Sequence, residues 1–167
     1  MIRKEKIPRA ASDSKAQREA EAVALELIAS KFGLSNVEVQ RKFQIGRATA
    51  IVDAFSESDD EVILLEVNAR VGSVMKTATK NKVVKDTLKM LLIERVHATI
   101  WQGKRVRKVL VFLDTIARGS FGPKSWIDHA WTEFGIETHI CAIPEAHHIA
   151  LVAAQAAQDL RVEVGDL

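Results

Sequence analysis

The chain has 167 residues, 24 Lys and Arg against 22 Asp and Glu, and a formal net charge of +2. With 47% hydrophobic and 28% charged residues it has the makeup of one globular domain large enough to bury a core. The single Cys141 excludes an intramolecular disulfide and fits a reducing compartment. No apolar run approaches the roughly 18 residues that a helical bilayer span needs, so the expected location is cytoplasmic, with no membrane partner.

Residues 1–13, MIRKEKIPRAASD, carry basic side chains without the apolar segment of a secretory signal, and Pro8 stops an early helix. They read as a flexible basic arm ahead of a single domain over residues 14–167. Ser12 or Ser14 can cap a helix that runs to Phe32, with Gly33 suited to its C-terminal end. Ala24, Leu25, Ile28 and Phe32 form its apolar stripe, widened by Ala20, Val23 and Leu27. Glu21 falls on that stripe, where an acid facing inward could reach the strands that follow. As a surface acid it would instead serve the N-terminal dipole.

Residues 37–45 alternate weakly and predict a first strand, turned by Gly46 and Arg47 into a second strand over 49–56. A third follows over 61–69, whose VILLEV is apolar on both faces, as in a strand covered on each side. The intervening SESDDE is a solvent-facing turn. Gly72 breaks the third strand, and a helix is predicted over 73–97 with Val84, Leu88, Leu91, Leu92 and Val96 toward the core. Lys76 and Lys80 occupy its first two turns. Lys82, Lys85 and Lys89 line another face. After Gly103, KVLVFLD predicts a buried strand ending at Asp114, and RGSFGPKS a flexible loop. A helix over 126–134 closes at Gly135, ETHICAIP is a further strand, and Pro144 opens a final helix. The order α-β-β-β-α-β-α-β-α implies an α/β fold, with a mixed central sheet flanked by helices.

The hairpin of the second and third strands carries the chemistry. With its turn centred between Asp59 and Asp60, Asp53 lies opposite Glu66, and opposed Cβ atoms sit about 4.5–5.5 Å apart on one face. Asn68, two residues on, shares that face. Two carboxylates so close destabilise a sheet unless a cation, commonly a divalent metal, neutralises them or the acids end in solvent. From Arg70 to Lys108 eleven basic residues face two acids. That local excess suggests a polyanionic partner such as nucleic acid, or a solvated helix face.

Other candidates are weaker. Adjacent helical His147 and His148 diverge by about 100° and cannot readily chelate one ion. His97, His129 and His139 share no metal-ligand spacing. Cys141 lies in an apolar strand and reads as core. Gly119 and Gly122 lack the Gly-Lys-Ser/Thr order of a phosphate loop. Trp101, Trp126 and Trp131 read as packing residues.

The αβββαβ order, with Asp53, twelve intervening positions and then Glu66-Val67-Asn68, resembles the PD-(D/E)xK nuclease superfamily, the restriction-endonuclease-like fold. The resemblance spans about residues 14–115, extended by a C-terminal α-β-α, and Glu21 resembles the acid many of these families carry on their first helix. It implies Mg²⁺- or Mn²⁺-dependent hydrolysis of phosphodiester bonds, DNA first among substrates, as an endonuclease or exonuclease. Asp53, Glu66 and the backbone carbonyl of Val67 would hold the ion. Asn68 stands where the family has its lysine, and an amide carries no charge and takes no proton. Lys76 or Lys80 would then supply the missing charge, completing a catalytic set of Asp53, Glu66, Asn68, Lys76, Lys80 and Glu21. Lys82, Lys85, Lys89, Lys104, Arg105, Arg107 and Lys108 would track the nucleic-acid backbone. A chain this small covers little duplex alone, which makes a homodimer one implied form. The alternative is an inactive nuclease-like module that binds nucleic acid or a protein partner; a purely structural partner protein is a third class.

Overall fold

A computed structural model describes the backbone of residues 11–165 and the side chains of residues 15–158. Ten elements follow in chain order: α1 (Ala11–Phe32), β1 (Val37–Ile45), β2 (Ala48–Glu57), β3 (Glu61–Asn68), α2 (Thr77–His97), β4 (Arg105–Phe112), α3 (Thr115–Gly119), α4 (Trp126–Glu133), β5 (Ile136–Ile140) and α5 (Glu145–Gly165). The strands form one five-stranded sheet in sequence order. β1, β2 and β3 run antiparallel, whereas β3, β4 and β5 run parallel. The chain is therefore α/β with a mixed sheet flanked by helices.

Two apolar clusters sandwich the sheet. On one face Val62, Leu64, Leu110 and Phe112 meet Val83, Met90 and Ile93 of α2 and Ile127 and Trp131 of α4. On the other, Ile63, Leu65, Val109 and Val111 meet Ala20, Ala24 and Ile28 of α1 and Leu151 of α5. β3 and β4 are buried on both faces, which explains the unbroken apolar runs of their sequences. Gly33 ends α1 at φ 65°, with Leu34 N–H donating to Ala29 O and Gly33 N–H to Ser30 O. That pattern is a Schellman cap, and its left-handed residue suits glycine. No helix among the described residues is long and apolar enough to cross a membrane.

Several expectations shift. Residues 1–10 of the expected arm lie outside the described residues. Residues 11–13 already belong to α1, so the helix begins before Ser12 and neither Ser12 nor Ser14 caps it. Residues 73–76 are not helical: Gly72 takes φ 73°, its N–H donates to Asp114 Oδ2, and Met75 N–H donates to Ser120 Oγ. These bonds pin an irregular linker, with Met75 buried beneath it. The core face of α2 is rotated from the expected one: Val83, Thr87, Met90 and Ile93 are buried, while Leu88, Leu92 and Val96 are exposed. Thr87 is held inside because its hydroxyl donates to Val83 O and accepts from Trp131 Nε1. Part of the expected RGSFGPKS loop is helical, because the Asp114 carboxylate caps α3 through Ala117 N–H. Cys141 falls just beyond β5, buried as expected, and burial raises its thiol pKa. Trp101 and Trp131 are core residues, but Trp126 is 72% exposed at the start of α4.

Candidate functional site

β2 and β3 pair with Ala54 opposite Leu65 and Glu57 opposite Val62. The ladder ends at the Ala54–Leu65 pair, one residue short of Asp53 and Glu66. Val67 N–H donates instead to Asp53 Oδ2 at 2.8 Å. β1 gives way at the same point: Val39 pairs with Ala54 and Arg41 with Val52, but Gln40 between them leaves the pairing at φ 54°, a region few non-glycine residues occupy. Its side-chain amide donates to Asp53 Oδ1 at 3.1 Å. The local twist shows in the core, where Val52 and Phe55, three apart, join one cluster. Two deformed strands thus fix one carboxylate through both its oxygens.

Glu66 is 2% exposed. Burial, then the charges of Asp53 and Asp86, push its carboxyl up to about 8 against the opposing pull of Lys89. The Lys89 ammonium lies 2.6 Å from Glu66 Oε1 and 3.1 Å from Asp86 Oδ1. Lys82, one turn before Asp86, lies 2.9 Å from Asp86 Oδ2. Burial works against the Lys82 charge, but the Asp86 hydrogen bond and the fields of Asp86, Asp53 and Glu66 outweigh it and raise its pKa. Glu21 is raised too, chiefly by burial and also by Asp53, against a hydrogen bond from Gln17. Four acids, Glu21, Asp53, Glu66 and Asp86, thus share their surroundings with two ammoniums, an excess of negative charge.

The expected residues are therefore partly brought together. Glu21 and Glu66 each feel the charge of Asp53. The ammoniums at the carboxylates are those of Lys82 and Lys89, whereas Lys76 stands at the N-cap of α2 and Lys80 in its first turn. The correction follows from the later start and rotated face of α2, which turn positions 82, 86 and 89 toward β3. Asn68 is 8% exposed, and its Oδ1 accepts from Arg70 N–H at 3.2 Å, so it shapes the strand's exit.

The basic track also breaks up in space. Lys108 is 5% exposed and paired with Glu94 at 2.6 Å, out of reach of a nucleic-acid backbone. Arg107 is bound through two hydrogen bonds to Glu137, and Lys104 to Glu57 and Ser58 O. Arg105 and Lys85 remain exposed. The reason is that β4 is an interior strand, whose basic residues meet acids from β3, β5 and α2.

Asp86 and Gln40 were absent from the sequence reading. The Lys82-x₃-Asp86-x₂-Lys89 spacing carries a signal for Asp86, because i,i+4 and i,i+3 positions meet on a helix. Nothing local announces the left-handed backbone of Gln40.

At the end of β3 opens a cavity of about 300 Å³ between α1, the start of α2 and α5, with Glu21, Val67, Asn68, Arg70 and Lys82, but neither Asp53 nor Glu66, on its wall. Among the described residues no group of three or more His, Cys, Asp or Glu is set to hold a metal ion. Asp53 accepts from Gln40 and Val67 N–H, and Glu66 is met by Lys89, so the acids expected to hold an ion are engaged by the protein's own donors. Carboxylate oxygens are nonetheless the donor type a hard divalent cation takes.

No protein-family model and no curated protein matches the chain. A solved structure described only as a protein of unknown function aligns over 85% of this chain and 67% of its own, at 13% identity and a TM-score of 0.47, a likeness too loose to bear on function.

Proposed function

We propose that the protein hydrolyses phosphodiester bonds of nucleic acid, DNA first, with Mg²⁺ or Mn²⁺, as a variant of the PD-(D/E)xK, restriction-endonuclease-like pattern. One observation carries the reading: Asp53 and Glu66, on adjacent strands, feel each other's charge within an acid surplus that Lys82 and Lys89 of the following helix only partly offset. Mg²⁺ held there by Asp53 and Glu66, with the Val67 carbonyl, would supply positive charge at the scissile phosphate and acidify water. The chain's own residues do the rest. Val67 N–H and Gln40 orient Asp53. Lys89 holds Glu66 in place. Lys82 offers the ammonium that Asn68 cannot, stabilising charge that builds on the phosphate.

A second reading, a silent module that binds nucleic acid or a protein, is favoured by the close Lys89–Glu66 contact and by Asn68, whose oxygen is already engaged. The two readings separate on a panel of DNA and RNA forms incubated with Mg²⁺ or Mn²⁺. Cleavage is expected from the wild type and its loss from Asp53→Ala. Cleavage by Asp53→Ala at the wild-type rate would reject the site. Salt-sensitive binding without any cleavage would select the silent module.

A further inference from the structure

The cavity at the end of β3 is lined by Glu21 and Lys82 but not by Asp53 or Glu66 themselves, and its walls are of two kinds. Glu21, Arg70 and Lys82 are its charged residues, and Glu21 and Lys82 feel the charge of Asp53. The α5 side is neutral, lined by Leu151, Ala154, Gln155 and Gln158. Gln155 is only 9% exposed. Its Oε1 accepts from Val71 N–H at 3.4 Å, while its Nε2 has no hydrogen-bond partner among the described residues. A buried N–H without an acceptor costs free energy, and Gln155 lines the cavity, so an occupant whose acceptor reaches this amide would remove that cost. The occupant must also meet the apolar Ala154 and reach the charged Glu21 and Lys82. A nucleobase answers the first two demands, with flat apolar faces and an edge of carbonyl and ring-nitrogen acceptors. Its attached phosphate answers the third.

Resting on the phosphodiester reading, we infer that this cavity takes one unpaired nucleotide of the substrate, base toward Gln155 and phosphate toward the Glu21–Lys82 end. At about 300 Å³ it sits at the small end of ligand pockets, and helices wall it on several sides, so a base pair does not enter. The nucleotide comes either from a strand end or from a duplex position swung out of its stack, which costs unstacking energy. Substrates with free or frayed ends are therefore favoured over closed duplex.

The test is binding, read apart from cleavage by using Ca²⁺ in place of Mg²⁺. Fluorescence anisotropy would compare a labelled single strand, a blunt duplex and a dumbbell duplex closed at both ends. The single strand is expected to bind at least about tenfold tighter than the dumbbell, the scale on which base stacking and contacts act. Competition by a nucleoside monophosphate, and not by inorganic phosphate, should erase the preference. Ala154→Phe, which fills the cavity and spares Gln155, should abolish the preference while retaining the wild-type melting profile, and Gln155→Leu should weaken it. Equal affinity for open and closed substrates, as for a cavity holding only water, would overturn the inference. So would an Ala154→Phe variant that keeps the preference, or equal competition by phosphate. Absence of Mg²⁺-dependent cleavage with the preference intact would instead remove the hydrolytic reading and leave the nucleotide pocket standing.

Discussion

Two clusters of charged side chains sit on the same sheet and settle their charges differently. Beside Phe32 of α1, Arg107 gives two hydrogen bonds of 2.7 Å to the two oxygens of Glu137, lies 3.7 Å from Glu61, and rests 4.5 Å from the Phe32 ring centre. The Arg107 hydrogen bond holds the Glu137 carboxyl below its ordinary value, and Glu137 in turn raises Arg107. Beside α2, by contrast, Glu66 has Lys89 at 2.6 Å and still rises to about 8. Burial opposes its charge, and Asp53 and Asp86 add like charge. The first cluster matches forked donor to carboxylate and is complete in itself. The second keeps an acid surplus in a dry place, the condition in which an added cation gains most.

The largest effect that would sharpen this contrast is catalytic. Lys82→Met is expected to cut Mg²⁺-dependent cleavage by about 10²–10³-fold, the scale for removing one charge-stabilising donor, while Lys80→Met leaves the rate close to wild type. Rates that fall for Lys80→Met alone would return the missing charge to the first turn of α2.

Next come two stability measurements with opposite signs. Glu137→Gln should lower the unfolding free energy near neutral pH by about 1.5–3 kcal/mol, as for hydrogen bonds to charged groups, read from urea titrations. Its folded carboxyl titrates below the ordinary 4.5. The contribution is therefore present above that value and lost as pH falls through the lowered one, where wild type and variant should converge. Glu66→Gln should do the reverse in metal-free buffer. Between 4.5 and about 8 the folded protein keeps a proton that the unfolded chain has released, so wild-type stability falls as pH rises through that window. The variant should melt close to wild type at pH 4.5 and above it at pH 9, by about 2–4 °C for each kcal/mol relieved. Identical pH profiles would erase the distinction between the clusters.

The smallest effect belongs to Lys104→Ala. Its pair with Glu57 is partly exposed, and a loss of about 0.5 kcal/mol is expected. A cost of several kcal/mol would mean that this turn belongs to the balanced cluster.

Much of this molecule can be read residue by residue. The SESDDE turn, with Ser58 Oγ bonded to Asp60 and Glu61, is local chemistry. With the apolar pattern on either side it sets the hairpin register, because a slip of one residue would turn a buried face to solvent. The mixed α/β order follows from the same periodicities. Helix α2 resisted because it is apolar on more than one face: Leu88, Leu92 and Val96 make as good a stripe as Val83, Met90 and Ile93, and only the sheet and Trp131 select between them. The basic run from Arg70 to Lys108 misled for a related reason. Charge counted along a chain says nothing of the acids that strands β3 and β5 bring beside β4.

By itself, then, the sequence determined the element order, the central β3, and the register of the hairpin that carries Asp53 and Glu66, since each depends on neighbours within a turn or a hairpin. The tertiary structure decided which lysines meet those acids, that Asp86 joins them, that Gln40 and Val67 N–H fix Asp53, and that Gln155 of α5 closes the cavity. Those outcomes depend on how helices rotate against the sheet, and that rotation minimises the exposed apolar surface of the whole fold rather than of any one segment.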